Sequence, residues 1–434
     1  MAEIKPFRGY RYDSSVAGDI GKLIAPPYDV IDDATREGLY RQSDYNVARI
    51  TRADRDESDP SSSPYGAAAA LFNEWREAGI VRYDEQPGFY VYEQYFEVQE
   101  RRMSRTGLIG LTRLRKPGDG VLPHENTHLG PRQDRLQLLR AAHVQFGQVF
   151  GLYPDPEGVV DDILERVKRE RPVIQATDIA GHLHRLWAIT DSETIAHIQN
   201  LMADKDILIA DGHHRYETAL AYASERPDCQ GAQYRMMTLV NMSNVGLVVL
   251  PIHRMIAGLD AFDPKAFLNA LRRAFEVRAY PGDSAVARDA VLKKIRRSQA
   301  GGKQAFGLYL GNGNYYTLVL KHSELMDDLG DASPALRALD VSVLQHLVFA
   351  KILGLTSEQL KEQHKLEYVS DFLYAIQAAA DSVKDGRAQA LFLLNPTRVQ
   401  EVQSIAQNRE RMPQKSTFFY PKVFTGLVFY DVDS

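Results

Sequence analysis

ILIADGHHRYETALAY, residues 207–222, joins an apolar run to a polar turn and then to a segment with helical spacing. The run ILIA is short and flanked by turn formers, which favours a buried strand. After Arg215 the apolar residues recur at the spacing of one helical face. The transition falls at Asp211 and Gly212, so this stretch predicts a strand, a tight turn and a helix that begins between His213 and Arg215.

A turn of this kind favours an anionic ligand. Helix N-termini carry unpaired N–H groups and the positive end of the dipole, and an arginine in the first turn adds a bidentate partner for phosphate. Gly212 lets the backbone approach a ligand closely. For Asp211 two alternatives stay open: it caps the helix, or it serves as a metal ligand or general base.

The adjacent histidines of this turn do not predict a shared metal site. Neighbouring residues of a helix point about 100° apart, so His213 and His214 cannot readily bind one ion. We expect separate roles, catalytic for His213 and ligand-binding for His214, against the alternative that each only satisfies a local hydrogen bond.

The segment HENTHLGPRQDR, residues 124–135, matches the HExxH pattern of zinc peptidases. That pattern requires a helix, whereas Pro123 precedes it, Gly130 and Pro131 follow it, and no apolar face is available. We therefore predict an irregular loop from Gly118 to Arg135 that faces a ligand; a solvated loop and a metal hydrolase are the alternatives. The candidates are His124 and Glu125 for catalysis and His128, Arg132 and Arg135 for phosphate binding.

A second polar loop lies near the C-terminus. QKSTFFYPK, residues 414–422, presents basic and hydroxyl groups without a helical apolar stripe. Such loops can hold a phosphate or carboxylate, although many are only surface, and we take Lys415, Ser416 and Thr417 as candidates. The sequence contains no Walker loop, no strand-linked GxGxxG and no kinase catalytic-loop pattern.

Composition limits the class of protein. The 434 residues carry a formal net charge of −5, which argues against a general nucleic-acid binder. Cys229 is the only cysteine, so intramolecular disulfides are excluded and a reducing compartment is favoured. No signal peptide or membrane-spanning stretch is evident, so we expect a cytoplasmic protein without a membrane partner. The oligomeric state is left open.

The order of elements predicts a mixed α and β protein with two domains, at residues 1–257 and 258–434. GFYVYEQYFEV (88–98) and TGLIGLTRL (106–114) alternate as antiparallel strands joined through QERRMSR. VARIT (47–51) has the composition of a short strand, and the GNGN of AFGLYLGNGNYYTLVL (305–320) predicts a hairpin turn.

Seven segments together resemble a known family. They are PFRGYRYD, APPYDVI, HENTHLGPRQDR, ADGHHRYETAL, GLVVLPIHR, LNPT and MPQKSTFFYPK. From about Lys5 to Tyr430 their order is similar to that of the bacterial and archaeal domain-of-unknown-function family numbered one thousand and fifteen. The DGHHR turn alone resembles the phosphate-binding turn of the ParB and sulfiredoxin superfamily, which includes free-serine kinases.

The resemblance implies an α+β fold: mixed sheets with a ParB/sulfiredoxin-like phosphate-binding core and a second α/β region. It places Asp211 beside the transferred phosphoryl group or a metal, His213 and Arg215 on phosphate, and Gly212 where backbone contact is needed. The catalytic cysteine of sulfiredoxins has no counterpart in this turn, and the DNA-binding helix-turn-helix of the partition proteins is not evident.

The function expected from residues and resemblance together is phosphoryl transfer between a nucleotide, ATP or ADP, and a small hydroxylated metabolite. An association of the family with serine biosynthesis directs this expectation to free serine, with Mg²⁺ assisting and Asp211 or His124 taking the hydroxyl proton. The alternatives are a phosphatase acting on a small phosphoester such as phosphoserine, and a regulator that binds a nucleotide or phosphometabolite without chemistry.

Overall fold

The computed structural model describes residues 2–53, 63–127, 129–356, 358–361 and 365–434. His128, a sequence-predicted phosphate ligand, lies outside the described residues. The chain divides into two units. Unit 1 lies within Met1–Pro123, Thr127–Val248 and Pro421–Ser434, and unit 2 within His124–Asn126 and Val249–Tyr420. The C-terminal segment thus belongs to unit 1, and the start of the HENTH segment belongs to unit 2.

The strands are short in both units, apart from β4 and β5. In chain order they are β1 (Ile4–Lys5), β2 (Tyr10–Tyr12), β3 (Val81–Tyr83), β4 (Phe89–Val98), β5 (Arg101–Arg113), β6 (Val121–Leu122), β7 (Val144–Gln145), β8 (Val149–Tyr153), β9 (Ile174–Thr177), β10 (Leu183–Ile189), β11 (Ile207–Asp211), β12 (Tyr234–Asn241), β13 (Val248–Leu250), β14 (Ile252–Ile256), β15 (Phe275–Pro281), β16 (Ala305–Tyr309), β17 (Asn314–Leu320), β18 (Leu366–Ser370), β19 (Ala390–Leu393), β20 (Phe418–Tyr420) and β21 (Tyr430–Asp431).

Helices separate many of these strands. The α-helices are α1 (Ser14–Ala17), α2 (Asp33–Gln42), α3 (Ala48–Thr51), α4 (Pro64–Glu77), α5 (Leu129–Ala142), α6 (Val159–Val167), α7 (Ser192–Met202), α8 (His213–Glu225), α9 (Pro264–Ala274), α10 (Ala285–Ala300), α11 (Pro334–Ala338), α12 (Asp340–Val343), α13 (Leu373–Lys384) and α14 (Val399–Gln407). Shorter 3₁₀ turns occupy Ile20–Lys22, Tyr28–Val30, Gly231–Gln233, Ser323–Met326 and Gln359–Lys361, and Leu344–Ile352 is a π-helix.

Unit 1 is built on a mixed sheet. Its strand order is β6-β11-β8-β12-β5-β4-β10-β9, with β1 beside β5. Strand β11 runs parallel to β6 and antiparallel to β8, and β8 runs parallel to β12. The apolar residues of β11, with Ile207 and Ile209 fully buried, pack in one core with Tyr216 of α8 and Leu239 of β12. This packing fixes the strand and helix on either side of the DGHHR turn.

Unit 2 has its own sheet and core. The strand order is β15-β17-β16-β19-β14-β18, and the pairs within it are antiparallel. Val291 and Ile295 of α10 pack in a core with Leu391 and Leu393 of β19. The predicted hairpin is confirmed, because β16 and β17 pair across a turn in which Gly311 and Gly313 have positive φ. The α+β class predicted from the sequence is therefore confirmed.

Three local predictions were wrong. Within VARIT, Ala48–Thr51 forms helix α3 instead of a strand, with Val47 as its N-cap. Val47, Ala48 and Ile50 are buried, so packing outweighs the preference of β-branched residues. The connection between β4 and β5 was predicted to be QERRMSR, residues 99–105. It consists only of Gln99 and Glu100, at φ 50° and 62°, because Arg101–Arg113 is strand throughout.

The third correction concerns the predicted loop from Gly118 to Arg135. Helix α5 begins at Leu129, so the second half of that segment is helical. Pro131 is tolerated because the N–H groups of the first helical turn have no intrahelical partner. The helix also has an apolar contact face further along, where Leu138 and Leu139 are buried. The residues Pro123–Thr127 lie outside any helix or strand.

Candidate functional site

The DGHHR turn of unit 1 has the predicted strand–turn–helix geometry. The register of β11 against β8 shifts between Ile209 and Asp211, and such a bulge re-aims the side chain that follows it. Gly212 takes φ 94° and is the N-cap of α8, which begins at His213. A Cβ at Gly212 would lie 3.0 Å from the guanidinium group of Arg215. Glycine is required here both by the backbone conformation and by the close approach of that guanidinium.

Asp211 lies between two cations. Its Oδ2 accepts a hydrogen bond from Nη2 of Arg215 at 2.7 Å, and its Oδ1 accepts one from the ammonium group of Lys422. The side chains of Arg215 and Lys422 are 8% and 13% exposed, so both contacts are largely shielded from water. Because Gly212 and not Asp211 occupies the N-cap, the carboxylate is used to hold two cations and not to cap the helix.

The charge state of Asp211 follows from this setting. Burial alone would raise the pKa of the carboxyl group, but the positive charges of Lys422 and Arg215 overcome that effect. They hold the pKa of Asp211 well below its usual range. The cluster of Asp211, Lys422 and Arg215 therefore carries one more positive than negative charge, and it lies at the N-terminus of a helix.

Two residues beside this turn were not among the predicted site residues. Lys422 is the last residue of the QKSTFFYPK segment, whose basic and hydroxyl groups were predicted as able to hold a phosphate, but its pairing with Asp211 spans the chain and no local pattern indicates that pairing. Arg105 lies on β5 and is fully buried, where its guanidinium donates to the carbonyl of Pro421 at 2.5 Å. Burial lowers the pKa of Arg105 to about 10, while Asp211 opposes that shift. No signal in the sequence indicates this role, because Arg105 ends the polar run QERRMSR, which was predicted as the connection between two strands.

The two histidines of the turn differ in environment. His213 is the first residue of α8 and is buried, and in its protonated form it is among the groups that depress the pKa of Asp211. His214 is half-buried. The separate roles expected for the two histidines stay a prediction.

The two predicted arginines of α5 have different surroundings in unit 1. Arg132 Nη1 lies 3.3 Å from Oε2 of Glu217 and is more than a third exposed, as expected of a surface ion pair. Arg135 pairs with Asp134 at 2.5 Å and stacks on the ring of Tyr28, with its guanidinium carbon 4.1 Å from the ring centroid. Their assignment to phosphate binding stays a prediction.

Within unit 2 the HENTH and QKST segments meet. His124 is fully buried, and its Nε2 lies 3.2 Å from Oγ1 of Thr417 and 4.0 Å from Oε1 of Glu125. The backbone N–H of Met412 donates to the carbonyl of His124 at 2.9 Å. This places a predicted catalytic histidine against a predicted ligand-binding hydroxyl.

The QKST residues make mainly internal contacts. Lys415 is exposed with φ 55°, and its carbonyl accepts a hydrogen bond from Arg254 at 2.8 Å. The hydroxyl of Ser416 donates to the carbonyl of Pro413, and the Ser416 carbonyl accepts from the Thr397 hydroxyl at 2.8 Å. The loop is therefore held in one conformation, and its proposed contact with phosphate stays a prediction.

Metal binding was predicted at Asp211. Among the described residues, no group of three or more His, Cys, Asp or Glu side chains is placed to hold a metal ion. Both carboxylate oxygens of Asp211 already contact cations, so this arrangement does not fit a Mg²⁺ site made by the protein alone.

A helix long and apolar enough to cross a membrane is not found in the described part of the chain.

A family model described as "Protein of unknown function (DUF1015)" matches residues 4–342. The chain belongs to this family. No curated protein matches this member of the DUF1015 family. It is similar to solved structures over 72% of its length, at low similarity throughout.

Three of these solved structures illustrate the similarity. One is "Free serine kinase in complex with AMP", at 11% identity and a TM-score of 0.34 over 86% of that chain. Another is a conserved hypothetical protein from Pyrococcus furiosus, at 12% identity and a TM-score of 0.33 over 94% of that chain. The third is SbnI with a C-terminal truncation from Staphylococcus aureus, at 10% identity and a TM-score of 0.34 over 84% of that chain.

Proposed function

We propose that this member of the DUF1015 family is a phosphotransferase that moves a phosphoryl group between a nucleotide, ATP or ADP, and a small hydroxylated metabolite, with free serine as the first acceptor to test. The observation that carries the proposal is the cluster of Asp211, Lys422 and Arg215 at the N-terminus of α8. Its surplus positive charge and the helix N-terminus favour a phosphate group, and phosphoryl transfer depends mainly on positioning and charge neutralisation.

In the proposed reaction the acceptor hydroxyl oxygen attacks the terminal phosphorus of the nucleotide. A new O–P bond forms, the bond from phosphorus to the bridging oxygen breaks, and the shortened nucleotide leaves with that electron pair. Lys422 and Arg215 neutralise the charge on the phosphoryl oxygens, and Asp211 holds both cations in position.

The hydroxyl proton needs an acceptor. A carboxylate whose pKa is strongly lowered is a weak base, so Asp211 is poorly suited to this step although the sequence pointed to it. Within unit 1 we assign the proton to His213, the first residue of α8. The sequence-based assignment of His124 and Glu125 to catalysis stays a prediction, which the same assay of His124→Ala checks.

The test is formation of phosphoserine from serine and terminally labelled ATP or ADP by the full-length protein, with and without Mg²⁺. We expect product with the wild type and a loss of about 10²-fold or more in Lys422→Met, since one charge-stabilising contact is removed. Lys168→Met is the matched control, because Lys168 is also a half-buried lysine of unit 1, paired with Glu93 at 2.8 Å.

Three results would contradict the proposal in different ways. Release of phosphate from phosphoserine without nucleotide would identify a phosphatase. If Asp211→Asn changes the affinity for nucleotide but the protein shows no turnover at any pH, the protein would be a regulator that binds nucleotide without catalysing a reaction. Absence of both nucleotide binding and phosphoryl exchange would exclude the site as a nucleotide-phosphate site altogether.

A further inference from the structure

A small cavity in unit 1 is lined by three arginines. Its volume is about 60 Å³, and Arg135, Arg215, Arg235, Tyr28 and Thr218 are among its lining residues. One water needs roughly 10–15 Å³ measured in this way, so the cavity has room for a group of a few heavy atoms.

Arg235 is the residue that the fold does not explain. It lies on β12, is 5% exposed, and one of its terminal nitrogens donates to the carbonyl of Gly147. Its Nε is buried and has no hydrogen-bond partner among the residues that the structure describes. In the described part of the chain no carboxylate forms an ion pair with it. A buried guanidinium without a counter-charge is costly, which indicates that something else neutralises it.

The charges around Arg235 strengthen this conclusion. Arg215 is already paired with Asp211 and Arg135 with Asp134, so Arg235 remains as a surplus positive charge. Burial and the nearby charge of Arg215 lower the pKa of Arg235 to about 9. Burial raises the pKa of Tyr28 to about 12, so its hydroxyl keeps its proton at neutral pH and is available as a donor.

We propose that this cavity is a binding site for a small phosphate, either the free ion or a phosphomonoester group, held by Arg235, Arg215 and the Tyr28 hydroxyl. A tetrahedral oxyanion matches the volume, supplies the missing negative charge and accepts from forked guanidinium donors. Phosphate binding in this cavity does not require a nucleotide at the Asp211 turn, although Arg215 borders both the cavity and the turn.

The test uses the full-length protein in a chloride buffer, with inorganic phosphate titrated by calorimetry and by thermal unfolding. We expect phosphate to bind and to raise the melting temperature of the wild type. Arg235→Met should weaken binding about 10- to 100-fold, the usual effect of losing a charge-assisted contact. Without phosphate this variant should melt no lower than the wild type, because it removes an unpaired buried charge.

Arg113→Met is the matched control. Arg113 lies on the neighbouring strand β5, where its partner across the ladder is Tyr234, and it is 44% exposed beside Glu3. This variant should bind phosphate like the wild type. If Arg235→Met does not fold, Tyr28→Phe serves instead and should weaken phosphate binding while leaving the fold intact.

A wild type that shows no response to phosphate, or an Arg235→Met variant that responds like the wild type, overturns the proposal. Phosphoserine in a parallel titration distinguishes the two sources of phosphate: tighter binding than the free ion, lost in Arg235→Met, assigns a phosphomonoester. ATP binding measured on the same variants keeps this result separate from the proposed function, because failure of phosphate binding with intact ATP binding refutes the cavity alone.

Discussion

At the scale of single residues, the environment of Asp211 determines what it can do. Its two oxygens contact Arg215 and Lys422, and the side chain is only 14% exposed. A carboxylate held between two cations is ionised at every physiological pH and accepts a proton poorly. It is well suited to orient the two cations that we propose contact an anionic ligand. The proposed site therefore includes a lysine that is distant from Asp211 in sequence.

The lowered pKa of Asp211 also predicts how stability changes with pH. A group whose pKa falls on folding stabilises the protein above its unfolded pKa, and that contribution is lost as pH falls through the folded value. Asp211→Asn should therefore cost about 3 kcal/mol of unfolding free energy at pH 7, as expected when one partner leaves a buried pair. The difference from the wild type should shrink below about pH 4. Urea unfolding of both proteins from pH 7 to pH 2 measures it, and a difference independent of pH would refute the ion-pair explanation.

At the scale of elements, two helices of unit 1 have an N-cap glycine in the left-handed region of backbone conformation. Only one of these glycines borders the cluster of Asp211, Lys422 and Arg215. Gly212 is the N-cap of α8 at φ 94°, and Gly158 is the N-cap of α6 at φ 70°. A Cβ at Gly158 would contact nothing within 4 Å, whereas one at Gly212 would lie 3.0 Å from Arg215. A substitution at Gly158 should therefore cause backbone strain alone, whereas one at Gly212 should cause backbone strain and also displace Arg215.

Replacing each glycine by alanine tests this difference. Both variants should lose about 1 kcal/mol of unfolding free energy, because alanine at positive φ is strained. Gly212→Ala should also displace the Arg215 guanidinium and weaken nucleotide binding about tenfold, the loss of one charged hydrogen bond. Gly158→Ala should bind like the wild type. Denaturant unfolding and calorimetric titration measure the two effects, and equal affinities in the two variants would contradict the role given to the turn.

The sequence predicted those elements whose causes are local. Alternation predicted β4 and most of β5, and the joint of β11 and α8 followed from apolar spacing and one Asp-Gly step. Helix α3 was missed because its burial, not its composition, determines its conformation. The partnership of Asp211 with Lys422 depends on tertiary folding and has no local pattern. The turn could therefore be located from the sequence, whereas the residues that complete the candidate site could not.

At the scale of the whole molecule, overall charge and local charge have opposite signs. The chain carries a formal net charge of −5, yet Arg215, Arg235 and Lys422 are cations of unit 1 with little exposure to water. Non-specific binding of nucleic acids needs exposed basic side chains that reach many phosphates at once. Cations that are at most 13% exposed can be reached by a small phosphate compound but not by the backbone of a duplex.

This contrast predicts selectivity for small phosphates over polyanions. In fluorescence anisotropy at about 150 mM salt, a labelled nucleotide should bind the full-length protein, and a labelled DNA duplex should not bind at micromolar protein. Lowering the salt should strengthen duplex binding little, because few phosphates can contact the protein. Lys422→Met should reduce nucleotide binding and leave the duplex result unchanged. Duplex binding with a steep salt dependence would instead show an exposed basic surface and would contradict the inference that these cations are reached only by small phosphate compounds.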